Sequence, residues 1–351
     1  MRRIKIILTL LFTVFVVGAH AQSKVGTTVA PFLTIGTGAH GSSVGHAYTA
    51  SARGADALFW NPSGISIRTD AQPMLGSAMF TNYDWFADIT YNAFGVTVPV
   101  SGNSVIGLSI AMVDYGSMDV RTIDQPEGTG EKFNASDMLI GLSYARPLTT
   151  NFYIGGTAKY IRQSIWDTSA ETFAVDIGFT LVTEYLNGLR LGATLNNFGG
   201  SMQLDGINLQ ESIDPDLTYG GNNDNVPVRY KMDEWNIPIQ FKFGVAWPVV
   251  TSKMVDWEIM LESDQTNDQY LNLDAGTDIA LKMKTVTVHV RSGYRDIPLD
   301  SDYTSDDVDN HWTFGGGVNL NVSNIRMGLG FAWLPFNNLQ DTKLFDVRLY
   351  F

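Results

Sequence analysis

The chain has 351 residues, 44% hydrophobic and 12% aromatic, with a mean hydropathy of −0.01. It contains no cysteine, which excludes disulfides, thiolate catalysis and cysteine-ligated metals. With 36 acidic against 23 basic residues the formal net charge is −13, so no nucleic-acid partner is expected, because phosphate binding needs a cationic face.

The amino end predicts a secretory signal. Arg2, Arg3 and Lys5 supply a positive start, residues 6–17 an apolar run, and Ala19-His20-Ala21 a small-x-small cleavage pattern. The run is shorter than the roughly 18 residues a spanning helix needs. The expected units are therefore a signal peptide over 1–21, an N-terminal segment over 22–71, and the remainder over 72–351. Cleavage before Gln22 takes the 23 basic residues to 20, sharpening the acidic balance.

Residues 22–71 are rich in small side chains. They carry Ala30-Pro31-Phe32-Leu33-Thr34-Ile35-Gly36-Thr37-Gly38-Ala39-His40 and, further on, Trp60-Asn61-Pro62-Ser63-Gly64. The second stretch favours a turn. At these residues the sequence resembles the PorV/PorQ family of the type IX secretion system, itself similar to FadL-type barrels. That family opens with an A-x-F-L-x-I-G-x-G-A-R element, a G-M-G-G-A segment and a W-N-P-A-G turn. Here Ser63 replaces the usual alanine, His40 a usual arginine, and Ser43-Val44-Gly45-His46 stands where G-M-G-G would be. The resemblance implies a plug or hatch inside a barrel, with Phe32, Leu33, Gly36, Gly38, Trp60, Asn61, Pro62 and Gly64 as its structural motif. Small residues would also let such a segment fill a lumen that wide barrels must close.

From residue 72 onward the pattern has period two. Phe173, Val175, Ile177, Phe179 and Leu181 alternate with Ala174, Asp176, Gly178 and Thr180. Ile325, Met327, Leu329, Phe331 and Trp333 do the same against Arg326, Gly328, Gly330 and Ala332, and Ile237, Ile239, Phe241, Phe243, Val245 and Trp247 make a third such run. Each run has one large apolar face and one small or polar face, as a strand between lipid and lumen requires. About fourteen strands are expected: 72–80, 87–99, 104–114, 137–147, 152–163, 171–182, 188–197, 237–247, 254–264, 271–282, 285–295, 311–321, 325–334 and 342–351. Connections after even-numbered strands are short, while those over 115–136, 198–235 and 296–310 are long. Membrane barrels sort short periplasmic turns from long outer loops in this way. The fold class predicted is all-β: a transmembrane antiparallel barrel with an N-terminal plug. Trp247, Trp257, Trp312 and Trp333 fit interfacial girdles, and Phe351 ends an amphipathic strand in the manner of a barrel-assembly signal. The expected location is the outer membrane, with its lipid as partner and the C-terminus periplasmic.

Other motifs carry less. Gly36-Thr37-Gly38-Ala39-His40-Gly41 is formally G-x-G-x-x-G, with Asp56 beyond it, but the sequence shows neither a helix opening at those glycines nor a parallel sheet whose helices cross back. The loop 300–309 holds five carboxylates without the glycine and glutamate of an EF-hand. His40, His46, His289 and His311 show no ligand spacing. Asp256, Glu258 and Glu262 share one strand face, placed in the lumen. No catalytic, cofactor or metal site is predicted. By resemblance the chain is a non-enzymatic barrel serving secreted cargo, through its C-terminal domain, or other secretion proteins. The alternative is a FadL-like channel for hydrophobic small molecules.

Overall fold

The computed structural model describes residues 26–68, 76–100, 103–214, 225–298, 311–322, 325–336 and 340–351. The expected signal peptide and the acidic loop 300–309 lie outside them. Fourteen long strands run in chain order: β1 (Ser77–Asp84), β2 (Thr90–Pro99), β3 (Val105–Asp119), β4 (Lys132–Pro147), β5 (Phe152–Ile165), β6 (Thr168–Val182), β7 (Arg190–Gly199), β8 (Gln240–Thr251), β9 (Val255–Thr266), β10 (Asn272–Lys282), β11 (Val286–Pro298), β12 (Trp312–Val322), β13 (Ile325–Leu334) and β14 (Thr342–Tyr350). Each pairs antiparallel with its neighbours. β1 also pairs with β14, from Ser77 opposite Tyr350 to Asp84 opposite Lys343, which closes the sheet into a barrel. The closed ladder leaves no strand edge facing lipid, where an unpaired amide has no partner.

The period-two face divides as the sequence predicts. Phe173, Leu329 and Phe345 point outward and are more than half exposed, while Ala174, Gly330 and Asp346 turn inward. Trp312 and Trp333 sit outward near one end of the barrel; Trp247 and Trp257 do so near the other. Lipid tails solvate the large side chains, and the rings settle at the two interfaces. Loop lengths sort by parity. Even-numbered strands are followed by short turns, whereas the connections 120–131 and 200–239 both follow odd-numbered strands.

Several boundaries differ from expectation. β1 begins at Ser77 and reaches Asp84, beyond the predicted end at residue 80. The expected run from Ile237 is cut at Gln240, because Ile237 turns inward and is fully buried. The β5–β6 hairpin is longer than predicted and turns on Trp166, whose φ of 51° lies in the left-handed region. The connection 200–239 also carries short pairings. Ser201–Met202 meets Trp235–Asn236, Asp205–Gly206 extends the sheet at β6, and Gln210–Ile213 pairs with Val226–Arg229. Such short segments are below what periodicity can register.

Residues 28–67 lie inside the barrel. Thr28 bridges Asn236 at the long-loop end, and the chain descends to Ile67, above the start of β1 at the short-turn end. Along the way it forms single turns at Pro31–Thr34, Gly54–Asp56 and Pro62–Ser66 and two short helices, α1 (Ala39–Ser43) and α2 (Ala57–Trp60). α1 packs against β11 to β14, and Pro62–Ser66 against β3 to β6, so the segment crosses the lumen from wall to wall. Its interior is not uniformly polar. Ala30 and Phe32 join Tyr83, Tyr91, Leu139, Ile161 and Leu344 in one apolar cluster, and Val44, Leu58, Trp60 and Ile65 anchor a second. Burying both clusters is the main drive that holds the segment in place.

Candidate functional site: the plugged lumen and its outer cavities

The motif residues of the segment hold one another. Asn61 donates through Nδ2 to the carbonyl oxygens of Thr49 (2.9 Å) and Phe179 (3.1 Å) and to Thr180 Oγ1 (3.1 Å). Its Oδ1 accepts from the backbone N–H and hydroxyl of Ser63, capping the turn that Pro62 begins. Trp60 donates its indole N–H to the Thr37 carbonyl at 2.7 Å and lies flat against Gly41, where a β-carbon would meet the ring. Gly178 of the wall leaves the corresponding room for Asn61. Gly38 adopts φ 89°, and its N–H donates to Tyr83 Oη at 2.7 Å while that hydroxyl donates to the Gly36 carbonyl. Phe32 is buried and Leu33 partly so, both against the first apolar cluster. Phe351 is placed far from this group, half exposed, its N–H bonded to the Gly76 carbonyl at 2.9 Å.

Charged groups of the wall fasten the segment at points spacing did not reveal. Asp346 Oδ2 accepts from the Ala39 N–H (2.7 Å), and Glu262 accepts from both the N–H and hydroxyl of Thr49 (2.7 and 2.9 Å). Arg190 donates to the Ala50 carbonyl and pairs with Glu258, which accepts from Ser51 Oγ at 2.7 Å. Arg348 lies between Asp56 (3.3 Å) and Asp346 (3.2 Å). Glu258 and Glu262 therefore do face the lumen, but as plug ligands; Asp256 pairs instead with Lys282 at 2.5 Å. Burial pushes the Asp56 carboxyl up to about 6, against the pull of Arg348.

The histidines gather in a way their spacing hides. His40 Nε2 and His289 Nδ1 both reach Asp278, at 3.2 and 3.1 Å, and Arg291 donates to the same carboxylate at 3.2 Å. Burial first, then the charge of Arg291, holds His40 well below the usual imidazole value, so it is neutral. A proton on Nε2 then serves Asp278, leaving Nδ1 to accept from Tyr48 Oη at 3.0 Å. Asp278 is thus shared by two imidazoles and a guanidinium, and no cluster of three or more His, Asp or Glu able to hold a metal ion occurs among the described residues. The glycines of the G-x-G-x-x-G stretch serve packing here: Gly41 lies under Trp60, and Asp56 binds Arg348.

Two cavities open at the long-loop end, with the plug lining both. One, of about 660 Å³, is apolar; Val29, Ile89, Met118, Leu204, Met232 and Trp235 surround it. Three of its polar side chains satisfy one another: Tyr115 Oη and Gln163 Nε2 both donate to Asp137, and the Ala30 N–H donates to Gln163 Oε1. The other, of about 470 Å³, is lined by Trp85 and Phe336 together with Gln240, Asp264 and Arg295, whose guanidinium lies over the Phe336 ring.

A barrel closed on fourteen strands, greasy outside and filled by its own amino-terminal segment, defines an outer-membrane protein of the plugged-barrel class. Residues 18–242 match the family described as type IX secretion system protein PorV, and the chain belongs to that family. It is thus an outer-membrane barrel of type IX secretion. No curated protein matches it in sequence. In fold it is similar to the Pseudomonas putida toluene transporter TodX (12% identity, TM-score 0.54, 90% of this chain and 97% of that one). The CymD monoaromatic hydrocarbon channel (10%, 0.55, 90% and 98%) and a Pseudomonas aeruginosa FadL homologue (10%, 0.52, 90% and 98%) are similar as well.

Proposed function

We propose that the chain acts in type IX secretion as a non-enzymatic scaffold, receiving cargo through its C-terminal domain or anchoring other secretion proteins at the outer rim. The observation carrying this reading is the filled lumen. Wall carboxylates and arginines bond the plug backbone at Ala39, Thr49 and Ala50, so these contacts hold the segment across the conduction path. The partners then bind at the long-loop rim, where the connection 200–239 presents Ile207, Tyr230 and Trp235 to solvent. In this reading the short turns and C-terminus face the periplasm, and Phe351 marks the last strand for assembly. Affinity capture of a tagged chain from its native outer membrane is expected to retain secretion proteins or cargo. Recovery of neither, with the barrel intact, would sink the proposal.

A second reading, a FadL-like channel for hydrophobic small molecules, is favoured by the apolar 660 Å³ cavity and by the likeness to hydrocarbon channels. Toluene uptake by cells carrying the protein, lost when the cavity is filled by Ala135→Trp, would support it over the scaffold.

A further inference from the structure

The apolar cavity of about 660 Å³ is also electrostatically one-sided, and we infer that it binds an organic ammonium ion, an apolar body carrying one positive charge. Its size lies within the range of about 300–1,000 Å³ that small-molecule sites occupy. Met118, Ile165, Met232 and Trp235 of its lining are exposed, so a ligand enters from the long-loop rim without moving the plug. Two carboxylates, Asp137 and Asp233, line it; no Lys, Arg or His does among the described residues. Asp137 is buried in the wall behind Tyr115 and Gln163, which are neutral donors, and no cation pairs with it among the described residues. It therefore acts on the cavity through its field rather than by contact, and a field carries further where water is scarce. Asp233 lies at the mouth, exposed, with no ion pair or hydrogen bond among the described residues, and meets a cation directly. Trp235 and Tyr115 add aromatic rings, whose faces attract ammonium groups. The thioethers of Met118, Met202 and Met232 give adaptable packing for the apolar body.

Other ligand classes fit less well. An apolar anion such as a fatty acid finds no cation in the lining and faces both carboxylates. A neutral hydrocarbon gains the same apolar burial but nothing from Asp137, Asp233 or the ring faces, so it ranks between the two. Lys231 and Arg162, basic residues of the same end, are exposed and lie outside the lining, and Arg162 pairs with Glu171 at 3.6 Å. The site needs neither secreted cargo nor an open lumen, and so goes beyond both functions proposed above.

The test uses the full mature chain folded in dodecyl maltoside, whose neutral head group leaves a comparison of charges undisturbed. Phenylpropylammonium, phenylpropanol and phenylpropanoate, alike in size and unlike in charge, are titrated at neutral pH by calorimetry and saturation-transfer NMR. The ammonium is expected to bind saturably, with a millimolar or lower dissociation constant about tenfold below that of the alcohol, and the carboxylate to bind weakest. Raising the salt from about 0.05 to 0.5 M should narrow the gap. Asp233→Asn, at an exposed position that folding does not depend on, should cut the ammonium's advantage over the alcohol about threefold while leaving the alcohol's own affinity unchanged. An alcohol bound as tightly as the ammonium, a preference for the carboxylate, an unchanged ratio in Asp233→Asn, or no saturable binding would each overturn the inference. Binding of the alcohol alone would still leave the channel reading standing, so the two fail separately.

Discussion

Asn61 shows how much one side chain can hold at the plug. It serves the Thr49 carbonyl, the β6 edge at Phe179 and Thr180, and the Ser63 turn, all out of water. Asn61→Ala would leave several buried partners unsatisfied, each worth about 1–3 kcal/mol. The expected outcome is a plug that becomes protease-sensitive while the barrel keeps its heat-modifiable gel mobility. Gly41 is constrained differently. A methyl there meets the Trp60 ring, which its own hydrogen bond to Thr37 keeps from moving. Gly41→Ala should cost about 1–3 kcal/mol by overpacking, and Trp60→Leu in the same chain should recover part of it in a thermal melt.

Two plug histidines give the segment a pH dependence. Burial is the main cause holding both His40 and His46 well below 6.5; Arg291 adds to it at His40, and Arg295 and Lys242 at His46. The folded form therefore disfavours the proton that an unfolded segment accepts. Their contribution to plug retention is full above pH 6.5 and falls as pH drops below that value. Asp56, whose carboxyl burial raises to about 6, acts in the opposite sense over the same range. The histidine part is therefore read as a difference: between pH 8 and about 5, acidification is expected to favour cleavage of the plug less in His46→Gln than in the unsubstituted chain. Identical pH profiles for the two would contradict it.

At the level of the element, each strand is governed by its two faces. Leu329 on β13 is more than half exposed and points to lipid, flanked by Gly328 and Gly330 facing inward. Leu329→Arg should cost about 2–4 kcal/mol if the residue sits near the bilayer midplane. Folding into lipid vesicles, followed by denaturant titration, measures that cost directly. The bulges give the ladder its local irregularity. Pairing shifts between Asp114 and Ser117 on β3 and between Val175 and Ile177 on β6. At the second the extra residue is on β7, where Asn196 and Asn197 (φ 58°) stand opposite Asp176, whose carboxylate accepts from the Asn197 N–H at 2.8 Å and pairs with Lys159.

For the whole molecule, closure and loop parity define which end is which. The chain has no native cysteine, so single-cysteine labelling reads orientation without background. Asp124→Cys, in the long connection after β3, is expected to react with an impermeant maleimide on whole cells. Thr149→Cys, in the short turn after β4, should react only after the outer membrane is opened. The reverse pattern would invert the barrel and place the C-terminus outside. Both sites are exposed in the structure, so lack of reaction reports sidedness rather than burial.

The sequence by itself determined the barrel, its strand count and the sorting of its loops, because alternation of side chains is a local property and lipid on one face writes it into every strand. It also marked the amino-terminal motif, whose glycines and Trp60 prove to be a packing lock. What only the tertiary structure decided was which wall groups meet that motif. Asp278 joins His40 across more than two hundred residues, and Glu262 reaches Thr49 over a comparable span. Strand pairing and plug insertion create those neighbours together, and spacing along the chain holds no record of them. The two outer cavities have the same origin. The larger joins the plug to β3 through β6 and the 200–239 connection, and the smaller takes Tyr83 of β1 and Leu344 of β14, neighbours only when those strands meet.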